Sequence, residues 1–163
     1  MNCWKLTTVV GLVAAVSIAG CARTPLFVSN QSVHLTAPSP MGVVAAPFQV
    51  TWRTADLPRG ATQFLVFVDD PPIHPGQNLR ALANGDPSCV ASAGCPNAAY
   101  LAARNVFLTN QHSVTIPFVA DLTGIEGHDS LAIHQLTVIL LDARGKRVGE
   151  YAYTAQFRVR QTA

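Results

Sequence analysis

The feature that most constrains this chain is a succession of short apolar stretches with a period of two, each closed by proline, glycine or a small polar residue. Phe48-Gln49-Val50-Thr51-Trp52-Arg53 is the clearest, with Phe48, Val50 and Trp52 on one face of a strand. Residues 62–68 are denser. Phe64, Val66 and Val68 alternate with Leu65 and Phe67, so both faces of this strand need cover. Residues 33–36 predict a first strand, and Ala37-Pro38-Ser39-Pro40-Met41-Gly42 a turn. Residues 105–109 and 113–119 predict a hairpin around Asn110-Gln111, with Val114, Ile116 and Phe118 on one face. Residues 134–142 read as the strongest strand. Residues 148–159 return from it, bent near Gly149 or Ala152. No amphipathic helix of full length, heptad or internal repeat occurs. About seven strands at this spacing predict an all-β fold, an antiparallel β-sandwich.

The start of the chain reads differently. Residues 6–19 are an apolar stretch behind a single charge, Lys5. Its length is that of a secretory h-region and falls short of the roughly 20 residues that span a bilayer. Ile18-Ala19-Gly20-Cys21 follows, and it resembles the lipobox of bacterial lipoproteins. Two small residues let the extended backbone enter a peptidase site, and the cysteine thiol accepts a diacylglycerol thioether. The resemblance implies that Ile18, Ala19 and Gly20 are signal-peptidase recognition residues and that Cys21 is the lipidated first residue of the mature chain. Ala22 rather than aspartate follows, which by the same resemblance permits passage to the outer membrane of a Gram-negative host. The other reading of residues 1–20 is an ordinary signal peptide or a single anchor helix. On the lipoprotein reading, residues 1–20 are the signal peptide, 21–31 a lipidated tether and 32–163 the working domain.

With that export, Cys3 leaves and Cys21 carries lipid, so Cys89 and Cys95 remain at C-x5-C spacing. In an oxidising envelope they are expected to form a disulfide. Closing so short a loop contributes about 2 kcal/mol by the chain-entropy model. A redox site would use C-x-x-C at a helix start, which the sequence lacks. The pair lies in an irregular stretch, about residues 70–104, that holds five of the chain's 11 prolines. Within it, Asn97 or Pro96 opens a short helix over 97–103.

Two groups of residues carry a second resemblance. Val33-His34-Leu35-Thr36-Ala37-Pro38, Gly42-Val43-Val44 and Pro47-Phe48-Gln49-Val50-Thr51-Trp52 are similar to the opening strands of bacterial immunoglobulin-like and fibronectin-type-III-like domains. His134-Gln135-Leu136-Thr137-Val138-Ile139-Leu140-Leu141-Asp142, with Gly145 and Phe157-Arg158-Val159, resembles their last hairpin. The resemblance implies an immunoglobulin-like sandwich serving as an interaction or scaffold module, and it supplies no functional residues. Two departures stand out. Both cysteines left for pairing, Cys89 and Cys95, lie in one loop, so the inter-sheet disulfide of antibody domains is absent, and 70–104 exceeds a usual strand connection.

Composition narrows the function classes. Hydrophobic residues make up 49% and charged ones 12%, which excludes wholesale disorder. A net charge of +2 from 11 basic and 9 acidic side chains implies no nucleic-acid surface. The histidines (His34, His74, His112, His128 and His134) are scattered, and the closest cluster, His128, Asp129 and His134, spans a loop. Asp69 and Asp70 are neighbours on a strand end and point apart, poorly placed for joint acid–base work or Ca²⁺. No G-x-S-x-G, H-E-x-x-H or P-loop pattern occurs. Arg144-Gly145-Lys146-Arg147 reads as a solvated basic hairpin tip.

A non-catalytic binding or assembly module at the envelope is therefore expected, with no cofactor and no metal. Its partners are the membrane, through the lipid on Cys21, and an unknown envelope protein. The alternatives are an envelope hydrolase or metal-dependent enzyme using the His and Asp residues, and a small-ligand or glycan binder using Trp52 or Tyr100. Trp52 is expected to point inward with Phe48 and Val50. Loop 70–104 is the candidate partner-binding segment, through Ile73, Leu79, Leu82, Tyr100 and Leu101. The same side chains serve equally to cover a sheet edge or one end of the core.

Overall fold

A computed structural model describes residues 32–119 and 131–160. The motif residues Ile18, Ala19, Gly20 and Cys21, the 21–31 tether and the loop with His128 and Asp129 lie outside the described residues. The fold is mostly β, with 47% strand, two sheets and few helices. The strands are β1 (Val33–Ala37), β2 (Val43–Ala45), β3 (Phe48–Thr54), β4 (Gln63–Val68), β5 (Val106–Thr109), β6 (Ser113–Ile116), β7 (Leu131–Leu141) and β8 (Arg147–Arg160). One sheet has the order β1-β3-β6. The other, β2-β8-β7-β4-β5, curls into a half-barrel.

The period-two pattern decides what lies between the sheets. Phe48, Val50 and Trp52 of β3 and Ile116 of β6 meet Phe64, Val66 and Val68 of β4, Leu136, Val138 and Leu140 of β7, and Phe157 of β8. Aromatic rings stack tilted or edge-on across this core. Trp52 and Phe64 are 5.1 Å apart and Phe48 and Phe157 are 5.4 Å apart. Trp52 thus points inward as its position in the strand requires.

The dense pattern of β4 gives a second core on the opposite face of the same sheet. Leu65, Phe67, Ile139, Leu141 and Val106 face away from the first core and pack with Ile73 and Leu101 from the 70–104 insertion. The molecule is therefore two sheets plus a third, irregular layer, and both faces of β4 are covered.

Two expectations are corrected. The described residues hold eight strands, close to the expected number, but one pairing is parallel where an antiparallel sandwich was expected. After β1 the turn around residues 38–42 carries the chain to the edge of the other sheet, where β2 runs parallel to β8. Met41 N–H donates to the Gln156 carbonyl at 2.6 Å and Arg158 N–H to the Gly42 carbonyl at 2.8 Å. The 105–119 hairpin does not form. β5 pairs with β4 and β6 pairs with β3, so residues 110–112 cross from one sheet to the other. The Trp52 N–H donates to the His112 carbonyl at 3.0 Å, which carries the β3–β6 ladder into that crossing. The β7–β8 hairpin forms as expected, with 11 residues in β7 and 14 in β8. Its expected bend is present. Val138 pairs with Tyr153 but Leu140 with Val148, so residues 149–152 bulge opposite Ile139, and Gly149 takes φ +74°.

Candidate functional site

The insertion folds into three short turns, each started by an Asn or Asp whose side chain accepts free backbone N–H groups. Asn78 caps the 3₁₀ turn Leu79–Ala83 and accepts from Arg80 N–H at 3.0 Å. Asp86 caps α1 (Pro87–Val90), accepting from Ser88 N–H at 3.0 Å and Cys89 N–H at 3.4 Å. Asn97 caps α2 (Ala98–Ala102), accepting from Tyr100 N–H at 2.9 Å. Turns this short do not hold by propensity, so caps and tertiary anchors must fix them. The Cys89–Cys95 disulfide is present and closes the segment between α1 and α2.

Asp86 is also the hub of a polar tie that sequence reasoning missed. Its carboxylate accepts from the Tyr100 hydroxyl at 2.9 Å and pairs with the Arg104 guanidinium at 2.7 Å. Arg104 lies over the Tyr100 ring, 3.7 Å from its centroid. Hydrogen bonds from the Ser88 hydroxyl, first, and then from Tyr100 hold the Asp86 carboxyl down at about 2. Residues 86, 100 and 104 tie the middle of the insertion to its C-terminal end. The only hint in the sequence is the capping pattern Asp86-Pro87-Ser88, which identifies one of the three partners.

A second set of contacts fastens the insertion to the β7–β8 turn. Leu79 N–H donates to the Gly145 carbonyl at 2.8 Å, Arg147 N–H to the Gln77 carbonyl at 2.8 Å, and the Asn78 side-chain amide to the Arg144 carbonyl at 2.7 Å. Arg147 is not part of a solvated tip. It is 7% exposed, and its guanidinium donates to the Ile73 carbonyl and, at 2.9 Å, to the Glu150 carbonyl. Burial lowers its pKa from the usual arginine value. Only Arg144 and Lys146 of the four-residue basic run remain exposed.

These ties determine where the candidate partner-binding side chains point. Ile73 and Leu101 are buried in the second core, and Leu79, Leu82 and Tyr100 are half-buried against it. All five face the sheet, so their demonstrated contact is with the domain itself. Val90, 79% exposed, is the large apolar side chain that the insertion leaves in solvent. Three clefts open along this layer. One of about 340 Å³ lies beside the disulfide, and one of about 260 Å³ lies between the insertion and the β7–β8 turn. The third, about 330 Å³, has an apolar floor of Leu82, Leu101 and Val106 with Asp70 and Arg104 at its rim. Burial, and then the charge of Asp69, raise the Asp70 pKa, and Arg104 opposes them.

The titratable groups considered for catalysis stand apart. His134, 3% exposed, places Nδ1 2.6 Å from an Asp69 carboxylate oxygen, and the other Asp69 oxygen accepts from Gln135 N–H at 2.8 Å. His134 Nε2 is buried without a hydrogen-bond partner among the described residues. Asp69 reaches this position because it adopts φ +63° as β4 ends. Asp69 and Asp70 consequently serve different surroundings. His112 contacts Thr54 Oγ1 at 3.2 Å, on the opposite side of the first core from the insertion. Among the described residues no three His, Cys, Asp or Glu side chains are grouped to hold a metal ion. Among the same residues no helix is long and apolar enough to cross a membrane. No known family model, curated protein or solved structure matches the chain.

Proposed function

We propose that this protein is a lipid-anchored module of the bacterial envelope, built on an immunoglobulin-like sandwich, that works by binding or assembly rather than by catalysis. The observation that carries the reading is the apolar stretch from residue 6, which ends in Ile18-Ala19-Gly20-Cys21. Lipid on Cys21 concentrates the domain at a membrane, the outer membrane in a Gram-negative host, through a tether of residues 21–31. Two fatty chains give stable attachment where one does not.

Strand order supports the sandwich. The first, third and sixth strands form one sheet, as A, B and E do in immunoglobulin domains. The fourth, seventh and eighth are neighbours in the other, as C, F and G are. On that scaffold the braced insertion is a rigid platform, and rigidity lowers the ordering cost of any contact it makes. The partner would be another envelope component met at the outer surface of the insertion.

The test is labelling with radioactive palmitate in the native host, with the wild-type chain beside Cys21→Ser. The wild-type chain is expected to be labelled and to sediment with membranes, and the variant to be unlabelled and soluble. Equal labelling of the two would reject Cys21 as the acceptor and the anchoring mechanism with it.

A further inference from the structure

The clefts of about 340 and 260 Å³ adjoin, with Arg80, Gly94, Cys95 and Pro96 in the lining of both. The smaller is lined from three separate parts of the chain: the 3₁₀ turn, the disulfide segment and the β7–β8 turn. Arg80, from the first, and Arg144, from the last, both line it. No carboxylate lines either cleft. Among the described residues neither guanidinium makes an ion pair, whereas Arg104 in the neighbouring cleft is paired with Asp86. Asp142, on the β7–β8 turn, accepts from Lys146 N–H at 2.9 Å and Arg144 N–H at 2.8 Å, and these bonds, with the positive charges of Arg144 and Lys146, lower its pKa. Lys146, exposed on the same turn, adds a third positive charge. Arg80, Arg144 and Lys146 thus stand against one carboxylate, and the balance of charge around the clefts is positive.

We propose that the smaller cleft is a binding site for a phosphate ester, held by Arg80 and Arg144. A guanidinium presents a planar fork of donors, and such forks take oxyanions in paired hydrogen bonds. A carboxylate has two oxygens in one plane and satisfies one fork. A phosphate presents oxygens in three dimensions and serves two forks approaching from different elements. The Gln63 side chain, which lines the same cleft, supplies a neutral donor. Beyond the phosphate, the adjoining larger cleft, lined by Ala83, Val90, Pro96 and the disulfide, accepts the organic part of the ester. The walls are preformed, since Leu79 is tied to Gly145, Asn78 to Arg144 and Cys89 to Cys95. This site does not depend on lipidation at Cys21, and the two proposals fail separately. The ester could belong to a soluble metabolite or to a lipid headgroup, and the test separates these sources.

The probe is glycerol 3-phosphate, titrated by calorimetry into the full chain in detergent micelles, with glycerate, which carries a single carboxylate, as the comparison. Glycerol 3-phosphate is expected to bind about tenfold more tightly than glycerate. Arg80→Gln and Arg144→Gln are each expected to weaken it by about tenfold or more. Arg53→Gln, on β3 in the other sheet, is expected to leave it unchanged. Both cleft arginines are exposed, so the variants should melt with the wild type. Arg80→Lys, which keeps charge and loses the fork, should lie between wild type and Arg80→Gln. Flotation with phosphatidylcholine vesicles, with and without phosphatidic acid, supplies the lipid arm. Capture that requires phosphatidic acid and is lost in the double variant assigns the ester to a lipid. Binding of the soluble phosphate alone assigns it to a metabolite. No binding of either probe, or binding that both Gln variants retain, overturns the site.

Discussion

Replacing Leu101 by alanine separates a covering role for the insertion from a partner-binding one. Leu101 sits in α2, is 1% exposed, and packs in a cluster with Leu65, Phe67, Ile73, Val106, Ile139 and Leu141. Truncation removes three carbons from a site bounded by three strands of a sheet, β4, β5 and β7, which cannot collapse to refill the space. Leu→Ala at such positions costs 2–5 kcal/mol, and a value of about 3 kcal/mol is expected here. For a domain of this size each kcal/mol moves the melting midpoint by about 3–4 °C, so the fall should be about 10 °C. The comparison is Val90→Ala. At 79% exposed it should change stability by no more than about 0.5 kcal/mol. Circular dichroism of the full chain in micelles gives the midpoints. Hydrogen exchange then locates the loss, with amides of α2 and the 3₁₀ turn opening before those of β3. If Leu101→Ala melted within a degree or two of Val90→Ala, Leu101 would not be part of a core, and the third layer would be a loosely attached arm.

Arg147→Met should cost about 2 kcal/mol, because the buried carbonyl of Ile73 and the partly buried one of Glu150 lose a charged donor while the guanidinium's desolvation is relieved. Hydrogen exchange should show the loss at residues 73–79, and unchanged protection there would refute the clamp. Asp86 ionises more readily in the folded chain, at about 2 against 3.8. Its contribution is therefore full above 3.8 and fades as pH falls toward 2. Asp86→Asn should destabilise at neutral pH and converge on the wild type as pH falls through that window. Parallel melting curves across it would contradict the assignment.

What the sequence disclosed follows from what periodicity reports. Alternation tells which face of a strand is apolar, so the inward set Phe48, Val50 and Trp52 was legible. The unbroken Phe64–Val68 run revealed that β4 has two buried faces. Local chemistry was legible for the same reason: Asn97 as a cap and Gly149 beside a bulge involve partners within a few residues. Periodicity does not say which strand is the neighbour. Asn110-Gln111 has the length of a hairpin turn, yet β5 and β6 find better partners in different sheets. The β2–β8 pairing joins segments more than a hundred residues apart, a distance over which no local pattern carries information. The five apolar side chains of the insertion were identifiable as apolar but not as inward, because their direction depends on ties made elsewhere.

Those ties explain why the insertion has its composition. A strand apolar on both faces, β4, forces a cover onto the outer side of its sheet, and β7 repeats the demand with Ile139 and Leu141. A full amphipathic helix would satisfy it from within one element. This chain uses three short turns, none stable alone, and so must fix each from outside. The caps Asn78, Asp86 and Asn97, the disulfide, the Asp86–Tyr100–Arg104 tie and the buried Arg147 do so. Polar groups spent on bracing are unavailable to a ligand, which is why Arg104 and Arg147, although cationic, cannot act as receptors. Arg80 and Arg144 join these ties through their backbones only, Arg80 N–H to the Asn78 side chain and the Arg144 carbonyl from it, and their exposed guanidinium groups line a cleft where the cover meets the β7–β8 turn. The side chains most open to binding are therefore the ones the bracing does not use.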